Sequence, residues 1–322
     1  MKRSSIEELE GDLDPEWVSG FTDAEGCFSL YFTESKPRYS TTGKLWAGSY
    51  KTGWQIGHEF VITQSEDNLE ILKRIQAFFG GAGGIYTSSK QSARRVYHYK
   101  IKDRKSLMSV VIPHFLSHGL HTTKAKHFQV FSEVVKSMDK GEHLSHEGLR
   151  ELALKAEKIN FLKKRSLILA SLNKSITESS SQESGATWKQ VTTRPVQAIT
   201  QERPITSWWI TGFIDGDGSL GYTGGRGGTH YPRLVISQSE RSRGALIKIQ
   251  LFWGAGKLGT NMRNDNHWDN MLRLDLAGTS FQEIVIPFLT KYPLQTNKYD
   301  QFEHILELLE RNPQRLYARL SA

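Results

Sequence analysis

A single cysteine, Cys27, stands in 322 residues. One thiol cannot close an intrachain disulfide, and a cysteine-based zinc site needs several, so both are excluded. The lone thiol is expected to be buried. No apolar run approaches the roughly 18 residues of a membrane span. The first sixteen residues carry six acids between Glu7 and Glu16 and no apolar stretch. Neither a secretory signal nor an Arg-rich, acid-poor transit peptide is expected there. Glycines cluster at Gly224-Gly225-Arg226-Gly227-Gly228, but no Gly-Lys-Ser/Thr follows. That stretch therefore lacks the chemistry of a phosphate loop and reads as a hairpin tip.

What is present is a globular composition, 38% hydrophobic and 24% charged. The length fits two domains, or one domain built twice, at roughly 150 residues each. Lys and Arg number 42 against 34 Asp and Glu, a net charge of +8. The excess favours a polyanionic partner without naming one.

The chain repeats itself. Trp17-Val18-Ser19-Gly20-Phe21-Thr22-Asp23-Ala24-Glu25-Gly26 returns as Trp209-Ile210-Thr211-Gly212-Phe213-Ile214-Asp215-Gly216-Asp217-Gly218, offset by 192. Ile62-Thr63-Gln64-Ser65-Glu66 returns as Ile236-Ser237-Gln238-Ser239-Glu240, offset by 174. That register reads as unbroken through Leu72/Leu246, Phe78/Phe252 and Val111-Ile112-Pro113/Val285-Ile286-Pro287 to Lys124/Lys298. The change of offset puts 18 extra residues in the first half, between Gly26 and Ile62. A duplicated fold follows.

Each half reads as helix, two strands, helix, two strands, helix. Trp17–Ala24 and Trp209–Gly216 form the first helices, with Asp14-Pro15 and Thr206-Ser207 as starts and Gly26 and Gly218 as stops. Gly20 and Ala24 share one helical face, as do Gly212 and Gly216. A mid-helix glycine costs about 1 kcal/mol against alanine, so two at equivalent sites point to close helix–helix contact. Strands are expected at 27–33, 59–63, 97–101, 219–222, 233–237 and 271–276, and helices at 69–79, 244–253 and from near 106 and 279. Residues 13–135 and 205–322 form the two repeats. Between them, 136–204 holds a helix (146–173) and, from Ile176, a Ser/Thr-rich linker.

Glu25 and Asp217 occupy the same place, the last turn of a helix, where an acid opposes the dipole. If the two helices pack in parallel, both carboxylates arrive side by side. They then repel unless a cation lies between them, and hard oxygen ligands suit Mg²⁺. Asp23 and Asp215 lie on another face and read as capping or structural. Positive charge is concentrated in Tyr86–Lys105 and Leu220–Arg263, each with a net +6. A basic β-ribbon fits the major groove of duplex DNA. Candidate DNA contacts are Lys90, Arg94, Arg95 and Lys100 in the first window. Arg226, Arg233, Arg241, Arg243, Lys257 and Arg263 are those of the second. The insertion adds Lys36, Arg38, Lys44 and Lys51.

The paired motifs W-V-S-G-F-T-D-A-E-G and W-I-T-G-F-I-D-G-D-G, at half-length spacing, resemble those of single-chain LAGLIDADG homing endonucleases. The resemblance implies an α+β fold of two pseudo-symmetric αββαββα repeats, each with a curved antiparallel sheet, together forming a DNA-binding saddle. It implies a monomer acting as a pseudo-dimer on double-stranded DNA, with no membrane association. The activity implied is metal-dependent cleavage of a long pseudo-palindrome of about 20 bp, leaving short 3′ overhangs. Glu25 and Asp217, with the main chain at Ala24 and Gly216, would hold Mg²⁺, for which Mn²⁺ or Ca²⁺ could substitute in binding. Gln64, Gln238, Lys124 and Lys298 match the family's other active-site positions. An arginine sometimes found one turn after the glutamine is replaced by Asn68 and Ser242, with Arg241 or Arg243 as substitutes in the second half. Such relatives are often encoded in mitochondria or chloroplasts. The same scaffold also serves intron RNA maturases and non-catalytic DNA-binding proteins. Retention of both acids favours the nuclease over the latter.

Overall fold

A computed structural model describes residues 11–47, 50–88, 95–157, 165–180, 203–224, 230–261 and 270–311. The first half runs α1 (Pro15–Glu25), β1 (Gly26–Glu34), β2 (Arg38–Tyr39), β3 (Leu45–Ala47), β4 (Trp54–Ser65), α2 (Leu69–Phe78), β5 (Gly84–Thr87), β6 (Val96–Ile101), α3 (Arg104–Ser106), α4 (Ile112–His118) and α5 (Lys124–Asp139). Two further helices follow, α6 (His146–Ala156) and α7 (Arg165–Ser180). The second half runs α8 (Ser207–Asp217), β7 (Gly218–Gly224), β8 (His230–Ser239), α9 (Arg243–Trp253), β9 (Lys257–Asn261), β10 (Met271–Ala277), α10 (Ile286–Lys291) and α11 (Lys298–Arg311).

Local chemistry explains the first helix of each half. Asp14 accepts from the main-chain N–H of Glu16 at 2.8 Å, and Pro15 fills the first turn, where its missing N–H is no loss. Thr206 Oγ1 accepts from the N–H of Trp209 at 3.2 Å. The two helices then pack in parallel. Gly20 lies against Trp209 and Phe213, Gly212 against Trp17 and Phe21, and Gly216 against Ala24. A methyl on Gly20 would stand 2.0 Å from the Trp209 carbonyl oxygen, and one on Gly212 would stand 2.1 Å from that of Trp17. The paired glycines are therefore the contact itself. Gly26 and Gly218 do end the helices, but both are extended, with φ of −77° and −76°. Glycine is required there by space, because a β-carbon would meet the Thr22 and Ile214 carbonyl oxygens at 2.8 and 2.5 Å.

Each half carries a four-stranded antiparallel sheet, ordered β1-β4-β6-β5 and β7-β8-β10-β9. Alternation decides the faces. Phe28, Leu30, Phe60, Ile62 and Tyr99 point into the first core, and Leu234, Ile236, Leu272, Leu274 and Leu276 into the second. The first core is aromatic, with the Phe28 ring 5.3 Å from those of Phe60, Phe115 and Phe128. The second is mostly aliphatic. Helices α6 and α7 extend the first core through Leu149, Leu152, Ile168 and Leu172.

Several expectations change. The short outer strands β5 and β9 escape a reading of hydrophobic runs. The αββαββα order of each repeat holds, with its last helical layer made of two helices, α4–α5 and α10–α11. Both α4 and α10 follow a π-helical segment, Leu107–Val111 and Phe281–Val285, whose wider turn admits Pro113 and Pro287. The helix expected over 146–173 is split into α6 and α7. The latter runs to Ser180, so residues 176–180 are helical rather than linker. The repeat register also slips. Ile101 stands where Leu276 does, an offset of 175, because Phe60 pairs with Ile101 and its counterpart Leu234 with Leu276. The offset returns to 174 by Ile112 and Ile286, so small compensating insertions lie in the loops. Cys27 is exposed, not buried, because alternation puts it on the open face of β1 beside buried Phe28.

Candidate active site and nucleic-acid face

Parallel packing of α1 and α8 carries Glu25 and Asp217 to one end of the seam. Burial raises the Glu25 pKa above its ordinary value, and the neighbouring Asp217 charge raises it further. Burial raises Asp217 as well, while Lys124, Gln238 and Lys298 pull it back. The two carboxylates are therefore close enough to feel one another in a partly desolvated site.

A glutamine orients each acid. Gln238 Nε2 donates to Asp217 Oδ2, and its Oε1 accepts from the Ser239 N–H at 3.3 Å. Gln64 hydrogen-bonds to Glu25. Asn68 Nδ2 donates to Gln64 Oε1 at 3.0 Å, which turns the Gln64 amide nitrogen toward the carboxylate.

Each lysine closes a helix. Lys124 Nζ donates to the carbonyls of Thr22 at 3.2 Å and Ala24 at 2.6 Å. Lys298 Nζ donates to those of Ile214 at 3.1 Å and Gly216 at 2.7 Å. The Thr22 and Ile214 carbonyls also accept from the N–H groups of Gly26 and Gly218. Ala24 and Gly216 stand in the last turn, where carbonyls lack an intrahelical partner; a cation there satisfies them and offsets the adjacent acid. Burial lowers both lysine pKa values, opposed chiefly by Asp23 and Asp215 respectively. The Ala24 and Gly216 carbonyls, expected at a metal, thus already accept from lysine; each oxygen keeps a second lone pair.

Asp23 and Asp215 hold the halves together. Asp23 accepts from the N–H groups of His121 at 2.6 Å and Thr122 at 3.2 Å, from Thr122 Oγ1 at 2.5 Å, and from Trp209 Nε1 of the other half at 3.1 Å. Asp215 accepts from Gln295 N at 2.8 Å, Thr296 N at 3.1 Å, Thr296 Oγ1 at 2.6 Å and Trp17 Nε1 at 2.8 Å. The turns so anchored lead directly into Lys124 and Lys298. Burial pushes the Asp23 carboxyl up to about 6 despite these donors.

Further bonds cross the seam in symmetric pairs. Asn68 Oδ1 accepts from the Asn297 N–H at 3.2 Å, and Ser242 Oγ accepts from the Thr123 N–H at 3.3 Å. Asn68 and Ser242, standing where the family's arginine is sometimes found, serve the interface. Sequence reasoning missed this use, and the repeat register was the signal that could have found it.

The open faces of the sheets bear the polar residues. Cys27, Ser29, Tyr31 and Thr33 alternate outward on β1, as Arg273 and Asp275 do on β10. Charge is less free than a count of bases implies. Arg233 makes a two-pronged ion pair with Asp275, through Nε at 2.8 Å and through Nη2. At the equivalent place with reversed sign, Lys100 and Lys102 lie 3.9 and 3.4 Å from Glu59. Arg95 pairs with Glu66 at 3.7 Å, and Arg243 with Glu240 at 2.9 Å. Lys44, Lys51, Arg241 and Lys257 are exposed, and Arg38 lies on β2. Lys90, Arg94, Arg226 and Arg263 lie outside the described residues, as does the 225–228 tip. Arg273 is an outward base that the sequence windows missed.

Among the described residues no group of three or more His, Cys, Asp and Glu could hold a metal. His114 and His118, one turn apart on α4, are engaged instead by Ser19 at 3.2 Å and Glu16 at 3.0 Å. Two acids alone suit Mg²⁺, which takes few protein carboxylates and keeps water and phosphate oxygens. No described helix is long and apolar enough to cross a membrane.

Comparison with known proteins agrees with this architecture. The chain is 26% identical to a probable intron-encoded endonuclease 2 of Neurospora crassa, over 90% of this chain and 58% of that protein. It is 26% identical to a probable intron-encoded DNA endonuclease 1 of Mycosarcoma maydis, over 75% of this chain and 81% of that one. It spans about half the length of the two Neurospora proteins it matches, 58% and 46%. The meganuclease I-SmaMI, solved bound to uncleaveable DNA, superimposes with a TM-score of 0.71 at 23% identity, covering 95% of this chain and 94% of that one. I-GzeII, solved with its DNA target, does so with a TM-score of 0.69 at 20% identity, covering 96% and 94%. Residues 18–135 and 210–309, one stretch in each half, match the LAGLIDADG endonuclease family, and the chain belongs to it.

Proposed function

We propose that the chain is a site-specific, metal-dependent endonuclease of double-stranded DNA that works as a monomer with two half-sites. The observation that carries this is the meeting of Glu25 and Asp217, one from each repeat, between two sheets whose outward faces are polar. A bound Mg²⁺ would supply Lewis acidity and a water of lowered pKa at the scissile phosphate. Glu25 and Asp217 would hold it, aided by the Ala24 and Gly216 carbonyls. Gln64 and Gln238 fix the carboxylates before substrate arrives, which lowers the reorganisation needed during hydrolysis. Lys124 and Lys298 keep positive charge at the seam, where negative charge develops on the phosphoryl oxygens. The sheets read a pseudo-palindrome because the halves are alike but not identical: Glu59 and Lys100 of one stand where Arg233 and Asp275 of the other do. The intron-encoded relatives fit an organellar gene, the compartment the family resemblance implies.

Selection from a random DNA library with Mg²⁺, and with EDTA as control, tests this reading. The expected product is double-strand cleavage at one long sequence, only with the divalent ion, leaving 3′ overhangs. Binding of a single sequence with no cleavage under any divalent ion would overturn the catalytic assignment.

A further inference from the structure

A cavity of about 480 Å³ lies at the end of β4 far from Gln64. Trp54 and Ile56 of β4, Met138 at the end of α5 and Leu149 of α6 give it apolar walls, with Tyr50 at the mouth, 52% exposed. Four basic residues line it: Lys51, which is exposed, and His58, Arg104 and His143, which are partly buried. Both ring nitrogens of His58, Nδ1 of His143 and Nε of Arg104 are buried with no hydrogen-bond partner among the described residues. An unpaired buried polar group costs about 1–3 kcal/mol, so a cluster of them needs a reason.

The duplication supplies a control. Pro232 stands in the second half where His58 does in the first, and Gly278-Thr279 replaces the Arg104 stretch. The same fold thus closes without these polar groups. Tyr50, Lys51 and Thr52 come from the first-half insertion, and Leu149 from the helix after the repeat, so the cavity has no twin among the described residues. Arg104 is held in place by Nη1 donating to the Met138 carbonyl at 2.7 Å, leaving Nε for a ligand. Asp103, an acid whose charge reaches His58, is engaged in capping the Ser106 N–H at 2.7 Å. Burial, then Arg104 and His143, push the His58 pKa down to about 4, so its ring is neutral at pH 7 and has one N–H to donate.

We propose that this cavity binds a phosphate monoester with an aromatic body, of the size of a mononucleotide. Its phosphoryl oxygens take the N–H groups of Arg104, His58 and His143, and its body lies on Trp54, Ile56 and Leu149. Donors from three separate elements suit a head with three acceptor oxygens better than a planar carboxylate with two. The volume is within the usual range of small-ligand pockets, roughly 300–1,000 Å³.

Titration calorimetry of the full chain with adenosine monophosphate and with inorganic phosphate tests the proposal. One molecule of the nucleotide should bind, with inorganic phosphate at least about tenfold weaker because it leaves the apolar walls uncovered. His58→Phe and, separately, His143→Phe should each weaken nucleotide binding about tenfold or more. Arg104 also supports Met138, so the two histidine variants, checked for folding by circular dichroism, carry the test. Absence of nucleotide binding at about 5 mM, unchanged affinity in both folded variants, or equal affinity for inorganic phosphate would each overturn it. Because the readout is binding at the cavity, the outcome is independent of whether the seam cleaves DNA.

Discussion

Trp17 Nε1 of the first repeat donates to Asp215 Oδ2 of the second at 2.8 Å, and Trp209 Nε1 returns the bond to Asp23 Oδ2 at 3.1 Å. Each aspartate also anchors the turn that positions its own repeat's lysine. Packing of the halves and placement of Lys124 and Lys298 are therefore one construction. A buried hydrogen bond to a charged acceptor contributes about 1.5–3 kcal/mol. Trp17→Phe should destabilise the protein by about that much, and chemical denaturation would register it. A loss below about 0.5 kcal/mol would mean the bond is not formed in solution.

Gly20→Ala and Gly212→Ala separate two opposed effects. Intrinsic propensity favours alanine in a helix by about 1 kcal/mol. At these positions the new methyl would lie 2.0 and 2.1 Å from carbonyl oxygens of the facing helix. Steric conflict wins, and each variant should lose about 1–3 kcal/mol or more in thermal or urea unfolding. Gly244→Ala on α9 is the control: it meets nothing within 4 Å and should be neutral or stabilising.

Acid should weaken the fold through His114. Burial, with His118 beside it, pushes the His114 pKa from 6.5 down to about 3. Between these values the unfolded chain binds a proton that the folded chain refuses. Stability from this group is therefore present above pH 6.5 and is lost as pH falls, with a slope of up to about 1.4 kcal/mol per unit. His114→Phe should lower the slope of unfolding free energy against pH between 6.5 and 4 by about one proton. An unchanged slope would show that His114 titrates normally.

The reversed ion pairs make a counterintuitive prediction for DNA affinity. Glu59 holds Lys100 and Lys102, and Asp275 holds Arg233. Glu59→Ala or Asp275→Ala should tighten non-specific binding. For the parent chain, neutralising ~8 phosphates implies a log–log salt slope near −7, and each variant should be steeper by about 1. Fluorescence anisotropy on random duplex across a salt series measures it. A weaker or unchanged slope would place these side chains away from the phosphates.

The sequence announced the duplication, the paired acids and the lysines because each recurs at a fixed spacing from a neighbour already matched. Helix starts were legible from Asp14-Pro15 and Thr206. What stayed hidden depends on contacts between residues far apart in the chain. Trp17 and Asp215 are separated by 198 positions, and nothing local distinguishes an indole that donates across a seam from one that fills a core. Asn68 and Ser242 looked like losses from a motif until each was seen to bond the opposite half. The bases were over-counted as free contacts because a window of charge does not reveal that Arg233 and Asp275, 42 positions apart, face one another across neighbouring strands. Outer strands β5 and β9 were too short to carry a period of their own.

The two seam carboxylates are the centre of the proposed cleavage site, and parallel assays of cleavage and binding with Glu25→Gln and Asp217→Asn test their role most directly. Once the target sequence is known, each variant should lose about a thousandfold or more in double-strand cleavage while binding the same DNA with nearly parental affinity. Full cutting by either folded variant would contradict the assignment of the active site.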